Sequence, residues 1–113
     1  SIHTDACSNP NERGATIFYS LNPLFASKKL GEAINEEYFK YVNTQNRGVK
    51  FKYNSTKTDD YYGVLRGTNM PAIIIECGFH TNSLEEARLL NRDYKILIAE
   101  GIKQGIVNYF IKK

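Results

Sequence analysis

Residues 70–79 read Met-Pro-Ala-Ile-Ile-Ile-Glu-Cys-Gly-Phe, and this stretch decides the fold class. Its four consecutive apolar residues, Ala72 to Ile75, show no alternation with polar residues. Such a run is typical of a strand that is covered on both faces, as in parallel sheets flanked by helices. The stretch therefore predicts a central strand of an α/β fold.

The chain before this stretch predicts further strands and a helix. Gly14 to Ser20 is rich in β-branched and aromatic residues, which favour a strand. Asn22 precedes Pro23, a pairing typical of a helix N-cap followed by the first helical residue. Apolar residues then recur at helical spacing from Ala26 to Val42, which predicts an amphipathic helix of about five turns. Two short strands are also predicted, Val49 to Tyr53 and Tyr62 to Arg66.

Two more helices are predicted after the central strand. Ser83-Leu84-Glu85-Glu86 has the pattern of a capping box, which predicts a helix from Leu84 to about Asn91. Asp93 is the predicted N-cap of the last helix. Gly101 and Gly105, four residues apart, predict close packing of that helix against another element. Its buried stripe is predicted to contain Ile98, Ile102, Ile106 and either Tyr109 or Phe110. The order of elements predicts a twisted, mixed, mainly parallel sheet flanked by helices.

Length and composition indicate one domain, residues 1–113, with one modest core. The sequence has no apolar run long enough to predict a membrane-spanning helix, and its first residues do not have the pattern of a signal peptide. We expect no membrane partner. The segment Ser1-Ile2-His3 looks like the end of a buried strand, so we expect an N-terminal part of the fold to be missing here.

Charge argues against a nucleic-acid partner. The net charge of +3 is low for a nucleic-acid-binding protein. Basic residues alternate with aromatic residues over 47–62, as they do in some grooves that bind nucleic acid, but Asp59 and Asp60 lie in the same stretch. A partly exposed edge strand guarded by lysines has the same pattern.

Glu76 is the first candidate for chemistry. It follows three isoleucines and is expected at the carboxyl end of the central strand, where open α/β sheets bind their ligands. Burying a carboxylate costs several kcal/mol unless the group is paired or used. Glu76 is therefore either a functional carboxylate or a structural one that is paired with an arginine such as Arg66.

The histidines and cysteines give weaker signals. His3 is either a metal-binding or catalytic residue or an ordinary hydrogen-bonded histidine, and His80 is predicted to face solvent in a loop. Cys7 and Cys77 are expected to be small buried thiols and not to form a disulfide. The alternation of side chains along the strand points Cys77 away from the face of Glu76, and Cys7 is predicted on a loop.

Several segments resemble, in order, the motifs of zinc-dependent N-acetylmuramoyl-L-alanine amidases of the amidase 3 type. Ser1-Ile2-His3-Thr4-Asp5 is similar to their Ser-Ile-His-x-Asn/Asp motif, and Ile75-Glu76-Cys77-Gly78-Phe79 is similar to the segment that carries their catalytic glutamate. The intervening and following matches span the rest of the chain and lie at residues 13–20, 26–34, 47–50, 64–72, 81–82 and 98–102.

The resemblance implies a fold, a reaction and a cofactor. The fold is a twisted sheet of about six strands with helices on both faces. The reaction is cleavage of the amide between N-acetylmuramic acid and the L-alanine of the stem peptide in peptidoglycan. The resemblance makes His3 a ligand of a single zinc ion and Glu76 the general base, and substrate-binding roles are expected for Arg66 and Asn69. It also implies a bacterial cell-wall or extracellular location, as an autolysin, spore amidase or phage lysin.

The resemblance covers only the C-terminal part of such a domain. The family's first zinc-binding histidine and its ligand glutamate precede the Ser-Ile-His motif, and nothing precedes Ser1 in this sequence. We therefore expect a missing N-terminal segment or a second chain to complete the sheet. His3 and Glu76 are expected close together, at the carboxyl ends of two strands in one open cleft. The alternative function is a non-catalytic wall-binding or structural remnant of the amidase fold; a different zinc amidohydrolase fits the single residues but not the ordered motifs.

Overall fold

The computed structural model describes residues 1–112, with Lys112 described only in its backbone. Its four strands and three helices follow one another in the order β1 Ile2–Asp5, β2 Ala15–Tyr19, α1 Leu24–Tyr41, β3 Asn46–Lys50, β4 Ile73–Phe79, α2 Ser83–Leu90 and α3 Arg92–Lys112.

The four strands form one mixed sheet in the order β1-β4-β2-β3. β4 runs parallel to β1 and antiparallel to β2, and β2 runs parallel to β3. Every residue of β4 is buried, as the uninterrupted apolar run predicted for a central strand. The predicted mixed, mainly parallel α/β sheet with flanking helices is confirmed.

The hydrophobic core lies on one face of the sheet. Alternate residues of β4, namely Ile73, Ile75 and Cys77, join a buried cluster with side chains of β2 and the helices. The intervening residues, Ile74 and Glu76, therefore project from the opposite face. The helical and β2 members of the core cluster are Ala15, Ile17, Tyr19, Ile34, Tyr38, Val42, Ile98 and Ile102.

Helices α1 and α3 cross at very short range because α3 carries two glycines at the crossing. A Cβ atom added to Gly101 would lie 3.1 Å from the Cα of Tyr38, and one added to Gly105 would overlap the Cα of Ile34. The predicted close packing is confirmed. The predicted buried stripe is only partly correct, since Ile98, Ile102 and Tyr109 are buried whereas Ile106 and Phe110 are exposed.

The helix caps differ from those predicted, in each case by one or two residues. Pro23 precedes α1 and makes no side-chain cap, so the predicted Asn22 cap is wrong. The Asn82 side chain caps α2 by accepting from the amides of Leu84 and Glu85, which displaces the predicted Ser83 cap. The Asn91 side chain accepts from the Tyr94 amide at the start of α3, where Asp93 had been expected.

The predicted capping box of Ser83 and Glu86 does not form, because Asn82 caps the helix one residue earlier and places Glu85 at the third helical position. The Glu85 Oε1 accepts hydrogen bonds from the Gly14 amide at 2.9 Å and the Phe79 amide at 3.0 Å. Its Oε2 accepts from the Thr44 hydroxyl at 3.2 Å. This buried carboxylate therefore joins three segments that are distant in sequence, instead of reaching back to its own helix.

Three predictions about strands are wrong, at least in part. Residues 61–67 form turns and not a strand over Tyr62 to Arg66, and β3 begins three residues before the predicted Val49 and ends at Lys50. Tyr53 contributes only an isolated bridge to Asp60. β1 is a strand as expected, but it is an edge strand and mostly exposed, not buried. The backbone of β1 forms hydrogen bonds with β4 on one side, and no strand of residues 1–112 pairs with its other side.

Candidate active site

Strand register brings His3 and Glu76 together. His3 of β1 is the cross-strand partner of Glu76 of β4 in a parallel pair, so both side chains project from the same face of the sheet. This is the face opposite the helical core. The expected proximity of the two residues is confirmed, but one detail is wrong: Glu76 is in the middle of β4 and not at its carboxyl end.

Glu76 is buried and incompletely bonded. Only 7% of the residue is exposed, and its Oε2 has no hydrogen-bond partner. Burial, with a smaller contribution from the nearby Asp5 carboxylate, raises the pKa of Glu76 from 4.5 to about 7. The side chain is therefore a carboxylate held close to its point of proton exchange at neutral pH.

Arg66 does not pair with Glu76, so the interpretation of Glu76 as half of a structural ion pair is wrong. The Arg66 guanidinium donates to the backbone carbonyls of Asp60 at 3.3 Å and Tyr61 at 2.9 Å. Among the residues that the structure describes, no cation forms a salt bridge with Glu76. Arg66 and Asn69 are both exposed in the irregular segment that precedes β4.

His3 is exposed, and its ring is oriented by a neighbouring hydroxyl. Its Nε2 lies 2.8 Å from the Ser1 Oγ. The second histidine, His80, is exposed in the turn after β4, as predicted, and its Nδ1 lies 2.9 Å from the Thr4 Oγ1. The two imidazoles therefore have separate hydrogen-bond partners.

Tyr62 is a residue of this site that the sequence did not connect with Glu76. Its ring lies 5.3 Å from that of Phe18, which projects from the same sheet face as Glu76 because Phe18 pairs with Ile74. Burial, together with the carboxylates of Glu76 and Asp5, raises the pKa of Tyr62. Only the folded course of the segment before β4 brings this ring to the sheet, so no local signal identifies it.

The thiols lie away from this face. Cys77 is buried in the helical core, as the alternation along β4 predicts. Cys7 lies in the irregular segment after β1, as predicted, but it is only half-buried and not the buried thiol that was expected. Both cysteines are free, as expected. Burial raises the pKa of the Cys77 thiol to about 11, so this thiol stays protonated at neutral pH.

The described residues alone do not form a complete metal site. Within residues 1–112, no group of three or more histidine, cysteine, aspartate or glutamate side chains is arranged to hold a metal ion. A catalytic zinc generally has three protein ligands and an open position for water. His3 and the unpartnered oxygen of Glu76 offer only part of such a donor set.

Comparison with known proteins identifies the family of the chain. The profile of the Amidase_3 family, described as N-acetylmuramoyl-L-alanine amidase, matches residues 1–108. The chain belongs to the Amidase_3 family. The resemblance that the sequence motifs indicated is thereby confirmed. None of the helices described in this family member is both long enough and apolar enough to cross a membrane.

The curated relatives include proteins named as amidases and as probable cell wall amidases. The chain is 31% identical to N-acetylmuramoyl-L-alanine amidase LytC of Bacillus subtilis, over 97% of this chain and 21% of LytC. It is 26% identical to the probable cell wall amidase LytH of Staphylococcus epidermidis, over 97% of this chain and 34% of LytH. The chain thus spans between a fifth and about a third of the length of these relatives.

Solved structures show the same fold. The CwlD amidase of Clostridioides difficile, determined in complex with the GerS lipoprotein, superposes with a TM-score of 0.86 at 34% identity. The catalytic domain of CwlV from Bacillus (Paenibacillus) polymyxa superposes with a TM-score of 0.83 at 28% identity. Each comparison covers 99% of this chain but only 53% and 56%, respectively, of the solved chains.

Proposed function

We propose that this Amidase_3 chain acts in a peptidoglycan hydrolase that cleaves the amide between N-acetylmuramic acid and the L-alanine of the stem peptide. We assign Glu76 as its general base. The observation that carries the proposal is the buried, unpartnered Oε2 of Glu76 beside His3 on an otherwise apolar strand. An unpartnered buried carboxylate destabilises a fold, so it is retained where it has chemistry to perform.

Amide hydrolysis needs two proton transfers, and one carboxylate can perform both. A water molecule must lose a proton as it attacks the carbonyl carbon, and the leaving nitrogen must gain a proton as the C–N bond breaks. Glu76 performs both transfers if it accepts the proton from water and then donates it to the nitrogen. A pKa of about 7 suits this role, because neither transfer is then strongly unfavourable at neutral pH.

Among residues 1–112, His3 is the only residue to which we assign zinc binding. We infer that His3 is one ligand of the single zinc ion that the family resemblance implies. The donor set of residues 1–112 does not fit a complete zinc site, since it lacks a group of three suitable side chains. The other ligands must therefore be supplied from outside these residues, and the open side of β1 is the edge next to His3 where another strand can add.

The remaining assignments follow from the same proposal. Because LytC is named as an amidase and LytH as a probable cell wall amidase, we propose an extracellular or cell-wall location. Arg66 and Asn69 are proposed to bind substrate from the exposed segment before β4. An N-terminal segment or a second chain is proposed to complete the sheet at β1.

The test is the substitution Glu76→Gln in a domain whose sheet and zinc site are complete. Gln keeps the shape of the side chain but cannot accept the proton, so release of stem peptides from purified peptidoglycan should fall by about 10²- to 10⁴-fold. Zinc content should be unchanged. Glu86→Gln is the matched control, because Glu86 is exposed on α2. Undiminished release by the Glu76→Gln variant would show that the carboxylate is structural.

The second candidate is a wall-binding or structural unit without catalysis. The observation in its favour is the lack of a three-ligand metal group within residues 1–112. Under this function, the completed domain would bind peptidoglycan but release no stem peptide, and the Glu76→Gln variant would behave like the unsubstituted domain. The same assay therefore separates the two functions.

A further inference from the structure

We propose that three aromatic rings next to Glu76 bind a sugar ring of the glycan strand, and we call them the aromatic ledge. The ledge consists of Phe18, Tyr62 and Tyr61, with the Lys52 ammonium over the outermost ring. This inference rests on the proposed function, because it names the part of the substrate that lies beside the scissile amide.

The ledge begins on the sheet face of the catalytic carboxylate. Phe18 and Thr16 are two residues apart on β2, and they pair with Ile74 and Glu76 of β4. Their side chains therefore share one face, and Phe18 is diagonal to Glu76. Tyr62 packs on Phe18 with ring centroids 5.3 Å apart. The negative charge of Glu76 contributes to the raised pKa of Tyr62.

The ledge then extends outward into solvent. The ring of Tyr61 meets that of Tyr62 edge-on at 5.1 Å. Lys52 places its Nζ 4.0 Å from the centroid of Tyr61, and the Tyr61 amide donates to the Lys52 carbonyl at 2.9 Å. These contacts hold Tyr61 in position although half of the residue, 50%, is exposed.

The chemistry of this surface suits a pyranose ring. The face of an aromatic ring is electron-rich, so it attracts the weakly positive C–H groups that line one face of a sugar. Phenolic hydroxyls and an ammonium group can hydrogen-bond the hydroxyl and acetamido oxygens at the rim of that sugar. Rigid tyrosines lose little conformational entropy on binding, which favours them in exposed contact surfaces.

The position of the ledge favours the sugar as its occupant. The scissile amide of the proposed substrate is attached to muramic acid through a short lactyl group. A substrate with that amide at Glu76 must therefore hold a sugar within a few ångströms of the carboxylate. The ledge starts at Phe18, diagonal to Glu76 on the same sheet face, and passes through Tyr62 to the exposed Tyr61, so aromatic rings adjoin the position that the sugar must take.

The test measures binding of chitotetraose, the β-1,4-linked tetramer of N-acetylglucosamine, to residues 1–113 by NMR titration. This probe has no stem peptide and no scissile amide, so its binding requires neither zinc nor Glu76. We expect the amide signals of Tyr61 and Tyr62 to shift in a saturable manner. Tyr61→Ala should weaken binding by roughly three- to tenfold, and Tyr61→Phe should retain most of it.

Tyr53→Ala is the matched control. Tyr53 is on the same hairpin and is 45% exposed, but its ring contacts Phe51 and not the ledge. Its substitution should leave binding unchanged. Absence of saturable shifts at Tyr61 and Tyr62 in the unsubstituted chain would overturn the proposal, as would an equal loss from Tyr53→Ala. Saturable shifts at the ledge with the free stem peptide but not with chitotetraose would also overturn it.

The binding of chitotetraose and the assignment of Glu76 as general base are tested independently. A ledge that fails to bind sugar leaves the loss of activity in Glu76→Gln unaffected. Conversely, an active Glu76→Gln variant would refute the proposed base without changing the binding of chitotetraose.

Discussion

Burial of Glu76 works against its ionisation, and this conflict has a measurable effect on stability. The residue ionises near pH 4.5 in an unfolded chain and near pH 7 in the folded protein. Between these values the folded protein holds a proton that the unfolded chain has lost. The contribution of Glu76 to the free energy of unfolding therefore falls as pH rises from about 4.5 to about 7, and is constant above that range.

Glu76→Gln should remove this effect. We expect the variant to be more stable than the unsubstituted chain by about 1 to 3 kcal/mol at pH 8, because a neutral amide is less costly to bury than a carboxylate. At pH 4 the two should be equally stable, since the carboxyl is then protonated in both states. Urea denaturation at the two pH values measures the difference. A stability gain of the same size at both pH values would contradict the electrostatic explanation.

At the residue scale, sequence reasoning succeeded where strand geometry alone decides the outcome. The pairing of His3 with Glu76 follows from two parallel strands in register, and the side of Cys77 follows from alternation along β4. The position of Tyr62 depends instead on how the irregular segment before β4 packs against the sheet. Neither propensity nor periodicity predicts such a contact, because it joins residues that are distant in the chain.

At the scale of elements, the same physical limit explains the misplaced helix caps. Asn82 and Ser83 both have side chains that can cap a helix, as do Asn91 and Asp93. The choice between neighbours depends on tertiary contacts. With Asn82 as the cap, Glu85 takes the position that Glu86 had in the predicted capping box, and Glu85 is instead engaged by the backbone amides of Gly14 and Phe79. Apart from the strand wrongly predicted over Tyr62 to Arg66, the types and order of the elements were predictable, whereas their exact boundaries were not.

The crossing of α1 and α3 gives a prediction in which two effects oppose each other. Replacing glycine by alanine within a helix normally stabilises it by about 1 kcal/mol. At Gly105 the added methyl group would overlap the Ile34 backbone, so we expect Gly105→Ala to destabilise the chain by about 1 to 3 kcal/mol. Gly101→Ala should cost less, because its nearest contact is 3.1 Å away.

Thermal or urea denaturation of both variants measures how much stability each of them loses. Lys103→Ala is the control, since Lys103 is exposed on the same helix between the two glycines. A stabilised Gly105→Ala variant would show that the helices can separate at little cost.

At the scale of the whole molecule, one edge of the sheet is unfinished within residues 1–112. β1 has a neighbour on one side only, and its Ile2 is 63% exposed. An apolar groove beside this edge also includes the exposed Val64 and Met70. An open edge next to exposed apolar surface favours pairing with another strand. His3 lies on that same edge strand.

Zinc binding tests whether the site, like this edge of the sheet, is incomplete in residues 1–113. We expect residues 1–113 alone to bind zinc weakly, because His3 and Glu76 provide fewer than the three ligands that a catalytic zinc normally has. In a competition titration, a chelating dye of micromolar affinity should retain the metal. His3→Ala should change the result little. Tight, stoichiometric uptake of zinc that is lost in His3→Ala would show that the described residues supply a complete site.

The strand order has a consequence for synthesis of the chain. β4 is the last of the described strands to leave the ribosome, yet it is the one that joins β1 to β2. Until residues 73–79 emerge, β2 can pair only with β3, and β1 has no partner among the described strands. Contacts between residues so far apart in sequence form slowly, because a long loop must close first. The pairing of β1 with β4 is therefore expected late in the folding of these residues, because it must wait for residues 73–79.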